Sequence, residues 1–244
     1  MWLVGRFLPA AAQSAKSPTV AQWNRVVRVC RDDGCATLAG MARPREFDER
    51  KALDQALTVF WTKGFDGASI SDLTEATGLG RASLYAAFGD KEGLFRAAVQ
   101  HYLERLAAKM PLPSDAPSGA AWLRTLFIGV ASMRKSSEAP RGCFLQAAAS
   151  QCDRKRRATH ELLTHALAQT ENLIHTAVVR AQQEGDIASD RNIDEVVSFL
   201  LVLLNGINAS ARIGRDATQL RNAALLGLTA AGLRTPAAPE PAAL

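Results

Sequence analysis

Strand patterning is missing from this chain: no alternation of apolar and polar residues lasts the length of a β-strand, and no internal repeat is present. An all-α fold is what remains. Cysteine is scarce, and Cys30, Cys35, Cys143 and Cys152 are too few and too scattered for a disulfide framework. Cys30 and Cys35 have no second Cys or His pair at zinc-ligand spacing, so all four read as reduced thiols. Long hydrophobic runs are lacking too. The longest, Val196–Ala209, is interrupted by Ser198, Asn205, Gly206 and Asn208 and falls short of the roughly 20 residues a membrane span needs. Arg6 and Pro9 break the apolar opening Met1–Ala12, which excludes a convincing secretory signal and makes the cytoplasm the expected location. Nor is there a nucleophile–base–acid set, a phosphate-cradling loop or a metal cluster. His160, His165 and His175 lack the i, i+4 spacing of helical ligands, and a run such as Arg154–Arg157 reads as a solvated helix start. No enzyme activity, cofactor, metal or membrane partner is expected.

Charge excludes less than its total implies. The formal net charge is +5, yet residues 1–40 supply +3 of it, and residues 41–110 carry ten cations and ten anions. A nucleic-acid interface would have to come from local placement of cations and not from a surplus. The first 40 residues show no sustained period, and an orderly series of helices begins only at Met41. Two readings of residues 1–40 stay open. They are upstream sequence preceding a start at Met41, or a disordered arm whose Arg25, Arg28 and Arg31 add non-specific DNA affinity.

From Phe47 the pattern is helical. Leu53, Ala56, Leu57 and Phe60 make one apolar face, and Gly64 is expected to end that helix. Ser69 with Asp72 forms a variant capping box that opens a short second helix, closed near Thr77 by Gly78. A third short helix spans about Arg81–Phe88. Asp90 caps a longer fourth one, which ends before Pro111, Pro113 and Pro117. Further helices are expected over about Ala120–Arg134, after Pro140, over Arg154–Glu184, over Ile193–Ile213 behind an Asn192/Glu195 cap, and over Ala217–Leu233. The Pro/Ala-rich segment 236–244 reads as a disordered tail. The division is 1–40, then a head of short helices at 41–92, then a part of longer helices at 93–235.

Two short helices joined at a glycine and set on a longer one outline a helix-turn-helix. Ile70, Leu73, Leu84 and Phe88 can form the small core that locks them together. That leaves Ala82, Tyr85 and Ala86 on one outward face with Arg81 beside them. Such small residues let a helix sit deep in a major groove, roughly 12 Å wide in B-DNA.

The run GLGRASLYAAFGDKEGLF from Gly78 to Phe95, preceded by GFDGASI from Gly64 to Ile70, resembles the signature of the TetR family of bacterial regulators. The resemblance covers about Phe47–Leu106. It implies a dimeric regulator of double-stranded operator DNA, commonly a repressor, released by a small-molecule effector that moves the fourth helix. Carried over residue by residue, it implies that Tyr85 and Lys91 contact phosphates, that Ser69, Ser71 and Ser83 add phosphate contacts, and that Arg81, Ala82 and Ala86 face bases. Ala82, Ala86 and Ala87 carry no polar side chain where the family often has one. Thymine-methyl contacts and DNA shape are then expected to supply more of the specificity.

The same resemblance places an effector pocket and a subunit contact in the C-terminal helices. Val196–Ile207 is apolar on nearly every face and must be covered. The expected subunit contact uses Val196, Leu200, Leu203, Leu204 and Ile207 with Leu220, Ala224, Leu225 and Leu228, the alternative being a helix buried within one subunit. Candidate pocket residues are Trp122, Leu126, Phe127, Phe144, Leu163, Leu167 and Phe199. Cys143 and Cys152 also allow a redox-switch reading, against buried inert thiols. The competing functional classes are an all-α ligand carrier and a helix-turn-helix used for protein contact. Both would leave Arg81, Tyr85 and Lys91 without a DNA role.

Overall fold

A computed structural model describes residues 47–132 and 142–233, and the expectations for 1–40, for the helix end at Arg134 and for 236–244 lie outside them. Asp48 accepts from the Lys51 amide at 3.2 Å and opens helix α1, Glu49–Gly67. Its face of Leu53, Ala56, Leu57, Phe60 and Trp61 is buried, as the spacing predicts. Gly64 does not end α1 outright. The backbone breaks there, at φ 73° and ψ 173°, and takes one further turn to Gly67. A side chain at Gly64 would collide with Gln151, whose Oε1 fills the place a Cβ would take.

Helices α2 (Ile70–Thr77) and α3 (Arg81–Phe88) follow, the first closed by Gly78 in the left-handed conformation at φ 66°. Asp90 accepts from the Gly93 amide and starts α4, Lys91–Lys109. Leu73 and Leu84 are fully buried where α2 and α3 meet α1 and α4, and Ile70 and Phe88 pack at the edge of that core. A polar tie joins α1 to α4. The Asp54 carboxylate takes hydrogen bonds from His101, whose Nε2 lies 2.8 Å away, and from Arg105.

Beyond α4 a 3₁₀ turn, Pro113–Asp115, leads to α5 (Gly119–Ala131), α6 (Phe144–Gln151), α7 (Arg157–Gln183), α8 (Ile193–Arg212) and α9 (Ala217–Ala230). The protein is all-α, with no strand among the described residues. Helix α7 starts three residues later than expected. Asp153–Arg156 instead forms a turn, in which the Arg156 amide donates to the Asp153 carbonyl at 2.9 Å. The junction from α4 to α5 is clamped by Arg180 on α7. Its Nη1 donates to the Pro113 and Ala116 carbonyls at 2.6 and 2.8 Å, and its Nε pairs with Glu184 at 2.7 Å. Glu184 in turn accepts from the Gly119 amide at 2.8 Å.

Packing separates two sets of candidate residues. Val196, Leu200, Leu204, Ile207, Leu220, Ala224 and Leu228 are buried in the subunit's own core, with α8 and α9 packed on each other, on α5, and α8 also on α7. Leu203 is half-buried and presses on Gly227, its Cδ2 filling the space a Cβ would need there. Seven of these eight residues are thus buried within the subunit and Leu203 is half-buried. The outward apolar residues are Phe199, Val202, Leu225 and Leu226, at 42, 71, 45 and 73% exposure. A helix apolar on nearly all sides has two apolar arcs, and its sequence does not say which one turns inward.

The pocket candidates separate in the same way. Trp122, Leu126 and Phe127 pack in the core on α5. Phe144 and Leu163, with half-buried Leu167 against them, belong to the core shared with α1 and α4. Phe199 lies on the solvent face of α8. Of the seven, Phe144 alone lines the enclosed cleft found between α1, α4, α6 and α7, whose other walls include Phe60, Phe65, Phe95, Gln151, Cys152 and Arg156. That cleft holds about 10 Å³, room for roughly one water. By length and composition α8 is apolar enough to cross a membrane; a third of that stretch is buried, and one side of the helix packs on α5, α7 and α9.

Candidate nucleic-acid interface

Ser69 fixes where the reading head begins. Its Oγ accepts from the Asp72 amide at 3.1 Å, and the Asp72 carboxylate accepts from the Ser69 amide at 2.9 Å, a complete capping box. Lys63 on α1 reaches the same carboxylate at 2.7 Å. Together Lys63 and the Ser69 amide hold the Asp72 carboxyl down at about 2. The first turn of α2 is thereby tied both to itself and to α1.

Gly78 then turns the chain without a side-chain penalty, and α3 starts at Gly80 with no side-chain cap. Its first-turn amides therefore face outward beside Arg81. Ser69, Ile70, Ser71, Thr74, Gly80 and Arg81 line one open concavity of about 530 Å³ between the starts of α2 and α3. Hydroxyls, helix-start amides and a guanidinium on one concave surface suit a phosphate chain.

On α3 itself Arg81, Ala82, Ser83 and Ala86 are exposed, while Leu84 beneath them is fully buried. Tyr85 is half-buried with its ring against the core, and the Arg81 guanidinium stands 5.8 Å from that ring's centre. The ring fixes the helix and steers Arg81 at the same time. Lys91 sits apart from the concavity, at the first turn of α4, with Nζ 4.6 Å from the centre of the Phe65 ring. Burial there pulls its ammonium below the ordinary lysine value, an effect that Arg156 strengthens and Asp66 opposes.

Thr74, Phe65 and Arg156 were not among the residues that the sequence singles out. Thr74 was within its reach, standing one helical turn after Ser71 on the same face. Phe65 and Arg156 were not, because they are 91 residues apart along the chain and meet only in the fold. Among the described residues no group of His, Cys, Asp or Glu is arranged to hold a metal. Burial pushes both the Cys143 and Cys152 thiols above the ordinary cysteine value, the direction that slows thiolate chemistry.

Known proteins share both halves of this architecture. Residues 52–98 match the family model "Bacterial regulatory proteins, tetR family", and residues 119–225 match "Tetracyclin repressor-like, C-terminal domain". The chain is 32% identical over 180 residues to the HTH-type transcriptional repressor ComR of Escherichia coli, an alignment spanning 73% of this chain and 86% of ComR. The chain belongs to the TetR family. A second Escherichia coli relative, the repressor BdcR, is 30% identical over 181 residues, with the same 73% and 86% coverage. Among solved structures, the TetR-family regulator CifR superposes with a TM-score of 0.70 at 34% identity, covering 77% of this chain and 99% of CifR. That CifR structure is a cysteine-substituted form bound to 26-base-pair double-stranded operator DNA. This TetR-family chain is accordingly a helix-turn-helix transcriptional regulator, in a family of regulators rather than of enzymes.

Proposed function

We propose that this TetR-family protein is a cytoplasmic repressor that binds a two-fold operator as a homodimer and is released by a small-molecule effector. Each α3 enters a major groove, with Arg81, Ala82 and Ala86 at base edges. Ser69, Ser71, Ser83, Tyr85 and Lys91 hold the flanking phosphates. The observation that carries this reading is the exposed small-residue face of α3 above fully buried Leu84. A face of Ala82, Ser83 and Ala86 approaches base edges closely, and buried Leu84 fixes its angle. The operator complex of CifR supports the same use of the fold.

Pairing of subunits is assigned to the outward arc of α8 and α9, where Phe199, Val202, Leu225 and Leu226 are exposed apolar side chains on two neighbouring helices. Four such residues on two helices packed together offer a surface that a second copy would cover isologously. The enclosed cleft of about 10 Å³ is too small for an effector as it stands, so an effector entering there has to part α6 and α7 from α1 and α4.

Footprinting the full chain on the DNA around its own coding sequence tests the reading. A protected inverted repeat is expected. Arg81→Ala should weaken binding to it by about 1–3 kcal/mol and relax the preference at one position. Absence of a specific site anywhere in the genome would overturn the proposal.

A further inference from the structure

Where the reading head meets the regulatory helices stands a group of charges, of which the proposed DNA contacts use Lys91 alone. Arg156, the last residue of the turn before α7, donates from Nη2 to Asp66 Oδ1 at 2.6 Å. Its guanidinium carbon lies 4.2 Å from the centre of the Phe65 ring, the ring that also carries Lys91 at 4.6 Å. Two cations thus rest on one aromatic ring, and Asp66 is the carboxylate whose charge acts on both. One residue further on, Glu92 accepts from the Thr159 hydroxyl at 2.6 Å, so the start of α7 is bonded to the start of α4 beside Lys91. Phe65 and Arg156 are both walls of the enclosed cleft between head and regulatory helices.

We infer that Arg156 is a positioning residue for DNA binding: by occupying Asp66 and sharing the Phe65 ring, it keeps Lys91 out of an ion pair with Asp66 and available to a DNA phosphate. The inference rests on the assignment of Lys91 to a phosphate. Asp66 can serve one cation well at a time. With Arg156 in place, the bidentate-capable guanidinium holds the carboxylate, and Lys91 is repelled from its neighbour towards solvent and DNA. If the Asp153–Arg156 turn swings away, Asp66 is released to Lys91, and a phosphate must then compete with it. The regulatory helices would thereby set the grip of the head through one ion pair, without moving α3. Asp66 is 70% exposed, so solvent screens the exchange and its effect is modest.

Phosphate contacts govern non-specific binding as well, so a random-sequence duplex of about 30 base pairs suffices as probe. Its binding to the full chain is followed by fluorescence anisotropy across a salt series. Arg156→Gln is expected to bind about threefold to tenfold more weakly, with the slope of log affinity against log salt shallower by about 0.9 for each phosphate that is no longer neutralised. Adding Asp66→Asn to that variant should restore both, because Lys91 then has no carboxylate to fall back on. Asp66→Asn alone should bind no more weakly than the parent, and it serves if Arg156→Gln fails to fold. A parent-like slope in Arg156→Gln overturns the inference. So does a weakening that Asp66→Asn cannot rescue, which would make Arg156 merely structural, and so does weaker binding by Asp66→Asn alone. Lys91→Ala separates the two readings. If it weakens binding while Arg156→Gln does not, only this inference falls; if it leaves the slope unchanged, the phosphate role of Lys91 falls with it.

Discussion

At Gly64 two requirements meet in one residue. The backbone stands at φ 73°, ψ 173°, a region that side chains with a Cβ essentially never occupy, and Gln151 fills the space where that Cβ would be. Gly64→Ala is expected to destabilise the fold by about 1–3 kcal/mol, read from chemical denaturation. Part of this residue's importance was legible, since a glycine after a run of helical apolar positions marks a break. The approach of Gln151, from a helix 87 positions away, was not. Residue identities also carried the face of α3: Ala82 and Ala86 fall one turn apart opposite Leu84, and the structure exposes them and buries Leu84 as that spacing requires.

At the scale of the element, α2 depends on its cap more than on its length. Eight residues make too short a helix to stand alone in water, and Ser69 and Asp72 satisfy amides at its start that would otherwise be left open. Ser69→Ala should cost about 1 kcal/mol of stability. The pH dependence follows from Asp72. Its folded value of about 2 lies below the unfolded 3.8, so its contribution is complete above the unfolded value and is lost as pH falls towards the folded one. An acid titration of helicity should show this loss between about pH 4 and pH 2, and Asp72→Asn should remove that part of the transition. Disappearance of the cap effect at neutral pH instead would contradict the assignment.

At the scale of the whole molecule, the inner and outer arcs of α8 and α9 can be told apart by substitution. Val202 and Leu226 are mostly exposed, so Val202→Glu with Leu226→Glu should leave the subunit folded and convert a dimer to monomer in sedimentation. Leu200 is fully buried, and Leu200→Ala should cost about 2–5 kcal/mol of stability whatever the assembly state. A double variant that still sediments as a dimer would place the subunit contact elsewhere.

Sequence alone determined the all-α class, the order of the helices, the caps at Ser69, Asp90 and Asn192 and the outward face of α3. Each of these depends on residues within about a turn or two of one another, where spacing dictates geometry. Only the tertiary structure decided which arc of α8 turns inward, that the seven pocket candidates separate, and that Arg156, Asp66, Phe65 and Lys91 share one corner. An apolar stripe states that a face must be covered but not by what, and an ion pair between residues 90 apart leaves no periodic trace in the chain.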